Sequence, residues 1–286
     1  MDWLEALILG IIQGLAEYLP ISSSGHLEIF RQVLGVDLCG KESLAFDVTL
    51  HVATVLSTIV ILWKEFVPLC KSFFTLKNDD NMKYVLKILV SCIPVAIVGF
   101  AFKPIVEQFF EGNLAIVGTC LIVTALLLAF AYFFRTSPLP MFKHNGGEGR
   151  EIGWLDAFVI GLAQAVAVLP GLSRSGTTIA TGILIGNKRD KVATFSFFMV
   201  IIPILGEAML HVKDMIFPDA EAVAEAEAAA ESAASVGALP LIIGFLAAFI
   251  VGCVACKWMI ELVKKGKLVW FAVYCLIVGT ICFIAG

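Results

Sequence analysis

The stretch "WLEALILGIIQGLAEYLPISSSGH" (residues 3–26) recurs 151 positions later as "WLDAFVIGLAQAVAVLPGLSRSGT" (residues 154–177). Nine of the 24 paired positions are identical. Each stretch begins as an apolar run and is then interrupted by proline, serine and glycine. A second, weaker match pairs "KPIVEQFFEGNL" (103–114) with "KWMIELVKKGKL" (257–268). The chain is therefore interpreted as a duplication, with repeats at 1–135 and 152–286.

The composition indicates a membrane protein. Of the 286 residues, 59% are hydrophobic and 15% are charged, whereas about a quarter of the residues of an ordinary soluble domain are charged. A helix that crosses a bilayer needs about 20 apolar residues. Six segments meet that need: 45–63, 84–103, 113–134, 192–211, 239–260 and 268–285. The sequence predicts an all-α polytopic membrane protein with a single integral membrane domain over 1–286.

The two repeated stretches do not read as full spans. Residues 4–34 and 154–186 are apolar at both flanks and broken in the middle, so each half is too short to cross. They are predicted to be re-entrant helix hairpins, surrounded by protein or a water-filled cavity. One hairpin and three spans per copy is an odd number of crossings, which would invert the second copy. The prediction is an inverted-topology repeat with the two hairpin bends meeting near the midplane.

The basic residues predict the orientation. If residues 1–44 lie outside, then 15 of the 20 Lys and Arg residues fall on the opposite side, which the positive-inside rule makes cytoplasmic. Both termini and the mouth of the first hairpin would face outward. The Ala/Glu-rich segment 217–238 is expected to be a solvated outer loop. The eight cysteines are interpreted as small apolar residues of membrane helices.

Ionisable and hydroxyl side chains gather in the two hairpins. The first holds Gln13, Glu17, Ser22, Ser23, Ser24, Gly25 and His26, and the second holds Ser173, Arg174, Ser175, Gly176, Thr177 and Thr178. A charge at mid-bilayer costs about 2.5–3.5 kcal/mol on insertion scales, which argues for a function. Helix N-termini rich in Gly, Ser and Thr bind phosphate, and a guanidinium binds the same anion. Hydroxyl, imidazole and carboxylate groups beside them indicate phosphoryl transfer on a lipid phosphate or diphosphate.

The motifs "QGLAEYLPISSSGH" (13–26) and "PGLSRSGTT" (170–178) resemble the two signature motifs of the undecaprenyl-diphosphate phosphatase family of the bacitracin-resistance type. The segments "FDVTLHVATVL" (46–56) and "FSFFMVIIPILG" (195–206) are also similar to spans of that family. The resemblance implies hydrolysis of undecaprenyl diphosphate to the monophosphate, which recycles the cell-wall lipid carrier in the bacterial cytoplasmic membrane. It also implies a divalent cation, Mg²⁺ or Ca²⁺, as cofactor.

Carried over by position, the resemblance implies that Glu17, Ser23, His26 and Arg174 are catalytic. Ser23 would attack the terminal phosphorus while His26 takes its proton, and Arg174 with N–H groups around Ser175–Thr177 would bind the phosphate. Glu17 would position His26 or a metal, with Gln13 as a second candidate ligand. Many family members have Glu where this chain has Gln13. Asp47 and His51, four residues apart in a span, are expected to play support roles only.

Several alternatives stay open from the sequence. His26 and Glu17 could activate a water directly, with Ser23 only binding. An inverted repeat with broken helices is also transporter architecture, so a flippase of polyprenyl phosphate is a second hypothesis. The expected partners are the prenyl diphosphate lipid and the bilayer, with no nucleic acid. A homodimer is left open.

Overall fold

The computed structural model describes residues 1–36, 40–101, 113–136, 149–216 and 237–286. Regular structure in these ranges is helical, with one isolated parallel bridge between Arg150 and Asn187. The helices of the described part are α1 (Trp3–Ala16), α2 (Ser23–Leu34), α3 (Gly40–Ile61), α4 (Trp63–Phe74), α5 (Asp80–Ala101), α6 (Leu114–Thr136), α7 (Trp154–Val166), α8 (Arg174–Leu184), α9 (Arg189–Met199), α10 (Ile201–Ile216), α11 (Ala238–Lys264) and α12 (Val269–Ala285). The all-α membrane class is confirmed. The predicted outer loop at 217–238 lies almost entirely outside the described residues.

Four of the six predicted spans are helical stretches long and apolar enough to cross a membrane, at Asp80–Gly99, Leu114–Phe134, Arg189–Leu210 and Ala238–Lys264. The third of these is formed by α9 together with most of α10. The predicted span 45–63 corresponds to α3, which ends at Ile61, and α4 follows it at an angle of 94°. Counted as one, this pair makes a fifth candidate. The predicted span 268–285 is the apolar helix α12, whose 17 residues extend about 25 Å, slightly less than a bilayer core.

The two predicted hairpins are each a pair of short helices that pack on one another. α1 has 14 residues and α7 has 13, so each is about 20 Å long and shorter than the hydrocarbon core of a bilayer. The chain then turns through a short non-helical segment, at residues 17–22 and 167–173. This segment together with the start of the next helix, residues 17–27 and 167–178, is here called an elbow. α2 and α8 lead away from these elbows.

Each hairpin packs against a span of the other half. α1 lies along α11, and its counterpart α7 lies along α5, while the last helices of the two halves, α6 and α12, pack on each other. Repeat-equivalent glycines allow these approaches, since a Cβ at Gly10 would fall against Gly244 and one at Gly161 against Ser91. Small residues at such contacts are typical of membrane helix packing. This reciprocal packing is the pattern expected of two related halves, and their inverted orientation stays a prediction.

The outer surface of the helix bundle is apolar. All five tryptophans are between 48% and 70% exposed. They lie at or near helix ends, at Trp3, Trp63, Trp154, Trp258 and Trp270. Tryptophan is enriched where membrane proteins cross the boundary between lipid and water. The position of these residues agrees with a multi-pass protein in a bilayer.

Candidate active site

The two elbows lie directly against each other. The hydroxyl of Ser175 donates to the carbonyl of Leu19 across the contact, at 3.2 Å. Gly25 faces Gly171 so closely that a Cβ at Gly25 would come within 3.0 Å of the Gly171 Cα atom. Gly171 also has a φ of +87°, a conformation that glycine adopts without strain. Polar residues from both halves are thereby brought to one place inside the bundle.

Serines cap the helices that leave the elbows. The Ser22 hydroxyl accepts from the Gly25 N–H at 3.2 Å, and the Ser173 hydroxyl accepts from the Gly176 N–H at 3.0 Å. Ser22 has a φ of +71°, which side-chain-bearing residues rarely adopt and which is common at functional sites.

These caps redefine the expected cradle of N–H groups. The N–H groups of Gly176 and Thr177 are engaged with Ser173, through its hydroxyl and carbonyl respectively. In the described part of the chain, the N–H groups of Ser23, Ser24, Arg174 and Ser175 have no hydrogen-bond acceptor. Unpaired N–H groups at a helix N-terminus are an anion site. The candidate cradle is therefore one to two residues earlier than expected from the sequence, and it has a half on each elbow.

Glu17 is the centre of the polar cluster. It caps the C-terminus of α1, one turn after Gln13, so the Gln13 amide donates to Glu17 Oε2 at 3.0 Å. The Ser23 hydroxyl donates to the same oxygen at 2.8 Å. The Arg174 guanidinium donates to the other oxygen, Oε1, at 3.1 Å. The carboxylate thus joins the predicted nucleophile and the predicted phosphate binder.

In the ion pair between Glu17 and Arg174, the carboxylate is buried and the guanidinium is partly exposed to solvent. The Glu17 side chain is 7% exposed and that of Arg174 is 25% exposed. A buried charge is tolerated only where it is paired and hydrogen-bonded. Removing one partner of a buried pair costs about 3–5 kcal/mol, because the other charge is left uncompensated. Arg174 retains donors for a ligand, since a guanidinium has five N–H groups.

The imidazole that faces Glu17 belongs to His51. His51 Nε2 lies 3.7 Å from Glu17 Oε2. Its Nδ1 bonds to the carbonyl of Asp47 at 2.8 Å, which fixes the ring with Nε2 toward the cluster. The Asp47 carboxylate in turn pairs with Arg31. The Asp47–His51 pair was expected to support the site, and its spacing alone does not show that it reaches Glu17 from another helix.

His26 is placed differently from the sequence expectation. Its Nδ1 bonds to the carbonyl of Ser22 at 2.9 Å, and its Nε2 bonds to the hydroxyl of Tyr274 at 2.8 Å. The two rings are stacked, with centroids 5.6 Å apart. Both ring nitrogens are therefore engaged away from the Ser23 hydroxyl, which donates to Glu17. Tyr274 was missed by sequence reasoning, because a tyrosine in the apolar run of α12 has no spacing that links it to residue 26.

The remaining predicted binding residues line the elbows. Ser24 is close to Ser22, with 3.4 Å between their hydroxyl oxygens. Thr178 donates to the Arg174 carbonyl at 2.8 Å and so braces the turn that carries the guanidinium. The Thr177 hydroxyl is buried and has no partner among the described residues.

The donor set around Glu17 fits a hard cation in part. Gln13 Oε1 is buried without a hydrogen-bond partner in the described ranges, beside the Glu17 carboxylate. Mg²⁺ and Ca²⁺ take oxygen ligands, and Mg²⁺ is commonly held by one or two carboxylates together with substrate phosphates. The described residues contain no group of three His, Cys, Asp or Glu side chains suited to a metal. Gln13 and Glu17 would thus supply part of a coordination shell, and phosphate oxygens would supply more.

Comparisons with known proteins agree with the motifs. The family model described as "Bacitracin resistance protein BacA" matches residues 6–281. A protein of Parabacteroides distasonis named undecaprenyl-diphosphatase is 52% identical over 281 residues, which are 98% of this chain and 97% of the relative. Relatives of the same name from Bacteroides fragilis and Christiangramia forsetii are 53% and 43% identical, over 98% of this chain and 97% and 96% of their own lengths. The resemblance is confirmed, and the chain belongs to the family of the bacitracin resistance protein BacA.

Proposed function

We propose that this chain is an undecaprenyl-diphosphate phosphatase, which removes the terminal phosphate of the lipid and leaves undecaprenyl phosphate. The observation that carries the proposal is the Glu17 carboxylate, bonded at one oxygen to the Ser23 hydroxyl and at the other to the Arg174 guanidinium. A nucleophile, a proton acceptor and a phosphate-binding cation thus share one buried contact. The names of its relatives support the same reaction.

In the first step, Ser23 Oγ attacks the terminal phosphorus of the diphosphate. Its proton passes to Glu17 Oε2, to which the hydroxyl already donates at 2.8 Å. The bond between the terminal phosphorus and the bridging oxygen breaks, and undecaprenyl phosphate leaves. Arg174 and the unpaired N–H groups of the elbows stabilise the charge on the equatorial oxygens, where one such donor is commonly worth about 10²–10³ in rate.

In the second step, water attacks the phosphoserine formed at Ser23. One water proton goes to the solvent or to a neighbouring base, the bond between phosphorus and Ser23 Oγ breaks, and Glu17 returns its proton to the leaving hydroxyl. Inorganic phosphate is released and the carboxylate is restored. In the competing mechanism Glu17 takes a proton from water directly, and Ser23 only binds. The short bond between Ser23 and Glu17 favours the covalent route.

The two roles expected of His26 alone, positioning and interaction with Glu17, are here assigned to two residues, His26 and His51. We assign His26 to positioning, because its bonds to Ser22 and Tyr274 tie the start of α2 to α12. His51, 3.7 Å from Glu17, is the imidazole placed to stabilise the carboxylate when its ring is protonated. A divalent cation, held by Glu17 and Gln13, would supply Lewis-acid stabilisation of the phosphate oxygens when bound.

We further propose that the two halves are inverted and that the site opens toward the outside of a bacterial cytoplasmic membrane. The supports are the distribution of the basic residues and the repeat that places an equivalent elbow in each half. A flippase is the second candidate, since two short hairpins that meet inside a bundle of spans also occur in transporters.

Phosphate release in detergent tests the proposal, because hydrolysis needs no membrane compartments and transport needs two. The purified protein should release phosphate from undecaprenyl diphosphate, and Glu17→Gln and Arg174→Ala should lose that activity. Glu28→Gln is a matched control, since Glu28 is on α2 and bonds only to Gln32 in the described part. A well-folded wild-type protein that releases no phosphate, with and without Mg²⁺ or Ca²⁺, would overturn the phosphatase assignment.

A further inference from the structure

A small cavity lies next to the pair formed by Glu17 and Arg174. Its volume, counted as the space in which the centre of a water molecule fits, is about 20 Å³. This is enough for one or two groups of the size of an oxygen atom. Its wall includes Thr54 and Thr58 of α3, Gln164 of α7 and Ser196 of α9. Ser23 is not part of this wall. The cavity therefore extends the site beyond Glu17, on the side of Arg174.

Most hydrogen-bonding groups of the wall are already committed. Five hydroxyls each donate to a backbone carbonyl, those of Tyr18, Thr54, Thr58, Ser175 and Thr178. Two groups are not committed: Gln164 Nε2 and Ser196 Oγ are buried without a partner in the described part of the chain. The two residues are 1% and 4% exposed. Buried polar groups in native proteins nearly always have hydrogen-bond partners. We therefore expect a bound ligand to supply the partner of these two groups.

The repeat shows that the amide of Gln164 has lost its partner while staying buried. Gln164 is the counterpart of Gln13, whose amide donates to Glu17. The position that corresponds to Glu17 in the second half is occupied by Val168, which has no polar atom in its side chain. An amide kept in an apolar setting without its carboxylate destabilises the free protein unless a ligand bonds to it.

The uncommitted groups at the cavity are donors. Gln164 offers an amide N–H, Ser196 an O–H, and Arg174 the N–H groups that Glu17 does not take. The two Glu17 oxygens already accept bonds from Gln13, Ser23 and Arg174. The Gln164 amide nitrogen and the Arg174 guanidinium can only donate, and the Ser196 hydroxyl can donate as well. The matching occupant is therefore an acceptor of the size of one oxygen, and the charge of Arg174 favours a negative one.

We propose that Gln164 and Ser196, together with Arg174, form a subsite for one oxygen of a phosphoryl group. This proposal rests on the proposed function and adds two binding residues from the second half to it. The phosphoryl group is either that of the bound lipid diphosphate or that of free inorganic phosphate. Both present the same oxygen chemistry to the cavity.

The test uses the purified full chain and inorganic phosphate as probe, with Gln164→Met and Ser196→Ala as variants. Phosphate that binds the folded protein raises its Tm, which gives a dissociation constant without any turnover. The loss of one hydrogen bond to a charged group should raise that constant, or the KM for undecaprenyl diphosphate, about tenfold. A change in the phosphate constant identifies free phosphate as the occupant, and a change confined to KM identifies the lipid.

The Tm of the variants without phosphate separates binding from structure. Gln164→Met removes an unpaired amide and fills its place, so the ligand-free protein should be as stable as wild type or more stable. A structural role would lower this Tm instead, and that result would overturn the proposal. Ser91→Ala is the control for Ser196→Ala, because the buried Ser91 hydroxyl is bonded to the Ile88 carbonyl and lies outside the cavity wall.

Unchanged phosphate binding and unchanged KM in both variants would also overturn the subsite. This failure is distinct from failure of the proposed function. If the wild type hydrolyses the lipid and the variants change neither phosphate binding nor KM, only the subsite is wrong. If the wild type binds phosphate through Gln164 but hydrolyses nothing, only the phosphatase assignment is wrong.

Discussion

Ser23 and Arg174 occupy equivalent positions in the two halves of the repeat, and their side chains bond to the two oxygens of one carboxylate, Glu17. The two matched stretches therefore do not form two sites of the same composition. One copy supplies a hydroxyl at this position and the other supplies a cation, and the two meet because their elbows pack together. A single site with complementary halves is the result.

Loss of the Arg174 charge should destabilise the protein as well as inactivate it. Arg174→Ala leaves Glu17 buried without its ion pair, and we expect the free energy of unfolding to fall by about 3 kcal/mol, the lower end for broken buried pairs. The double variant Glu17→Gln/Arg174→Ala should regain part of that stability, since it removes the unpaired charge. Thermal or denaturant unfolding in detergent measures both. A double variant less stable than Arg174→Ala would contradict the account.

Ser23→Ala should reduce turnover by about 10³-fold or more, because the variant has no nucleophile for the covalent step. Acid quench of wild-type enzyme with labelled undecaprenyl diphosphate should trap phosphoserine at residue 23. Thr280→Val is the control, since among the described residues this exposed hydroxyl bonds only to the carbonyl one turn earlier. If Ser23→Ala keeps turnover within about tenfold of wild type, direct attack by water is the mechanism.

The bond between His26 and Tyr274 makes a separate prediction. Tyr274→Phe and His26→Gln break the same contact, so both should lower the free energy of unfolding by about 1 kcal/mol. Both should keep kcat within about tenfold of wild type, since neither residue touches Ser23 Oγ in this arrangement. Phosphate release and unfolding are measured on the same preparations. A kcat reduced about 10²-fold or more by His26→Gln, with Tyr274→Phe near wild type, would return the role of proton acceptor to His26.

A substitution at residue 13 should change how the activity depends on the metal concentration. A chelator should abolish phosphate release, and Gln13→Glu should lower the Mg²⁺ concentration for half-maximal activity because a second carboxylate joins Glu17. Without metal the two carboxylates repel each other, so the Tm of Gln13→Glu should fall in chelator and recover with Mg²⁺. A Tm of Gln13→Glu that does not depend on Mg²⁺ would remove Gln13 and Glu17 as metal ligands.

The contact between the elbows can be tested at a glycine. Gly25→Ala places a Cβ within 3.0 Å of Gly171 Cα, so the elbows must separate, and we expect a cost of about 1–3 kcal/mol in stability. Activity should fall further than stability alone explains, since Ser23 and Arg174 would move apart. The control is Gly99→Ala, where an added Cβ has no described atom within 4 Å. Equal behaviour of the two variants would show that the elbow contact tolerates displacement.

The sequence by itself determined the class of fold, the match between residues 3–26 and 154–177, and the two breaks at the elbows. These features depend on short sequence segments alone: apolar runs long enough to cross a bilayer, and apolar runs interrupted by proline and glycine. It also predicted the polar residues of both hairpins, because charge inside an apolar run is costly and so stands out. The direction in which α4 leaves α3 was not predicted, because the predicted span ended at residue 63 and composition does not report the angle between consecutive helices.

Only the tertiary structure decided which of these polar groups bond to one another. His51 comes to Glu17 from α3, and Tyr274 reaches His26 across 248 positions of the chain, through helix packing that no local spacing records. The first-turn N–H groups that remain unpaired depend on how Ser22 and Ser173 turn their hydroxyls. Whether the amide nitrogen of Gln164 finds a partner likewise depends on the helices around its cavity, and among the described residues it has none. Composition and spacing in the sequence indicate which residues are buried. The direction of each polar side chain and its hydrogen-bond partner follow from the packing of helices that are far apart in sequence.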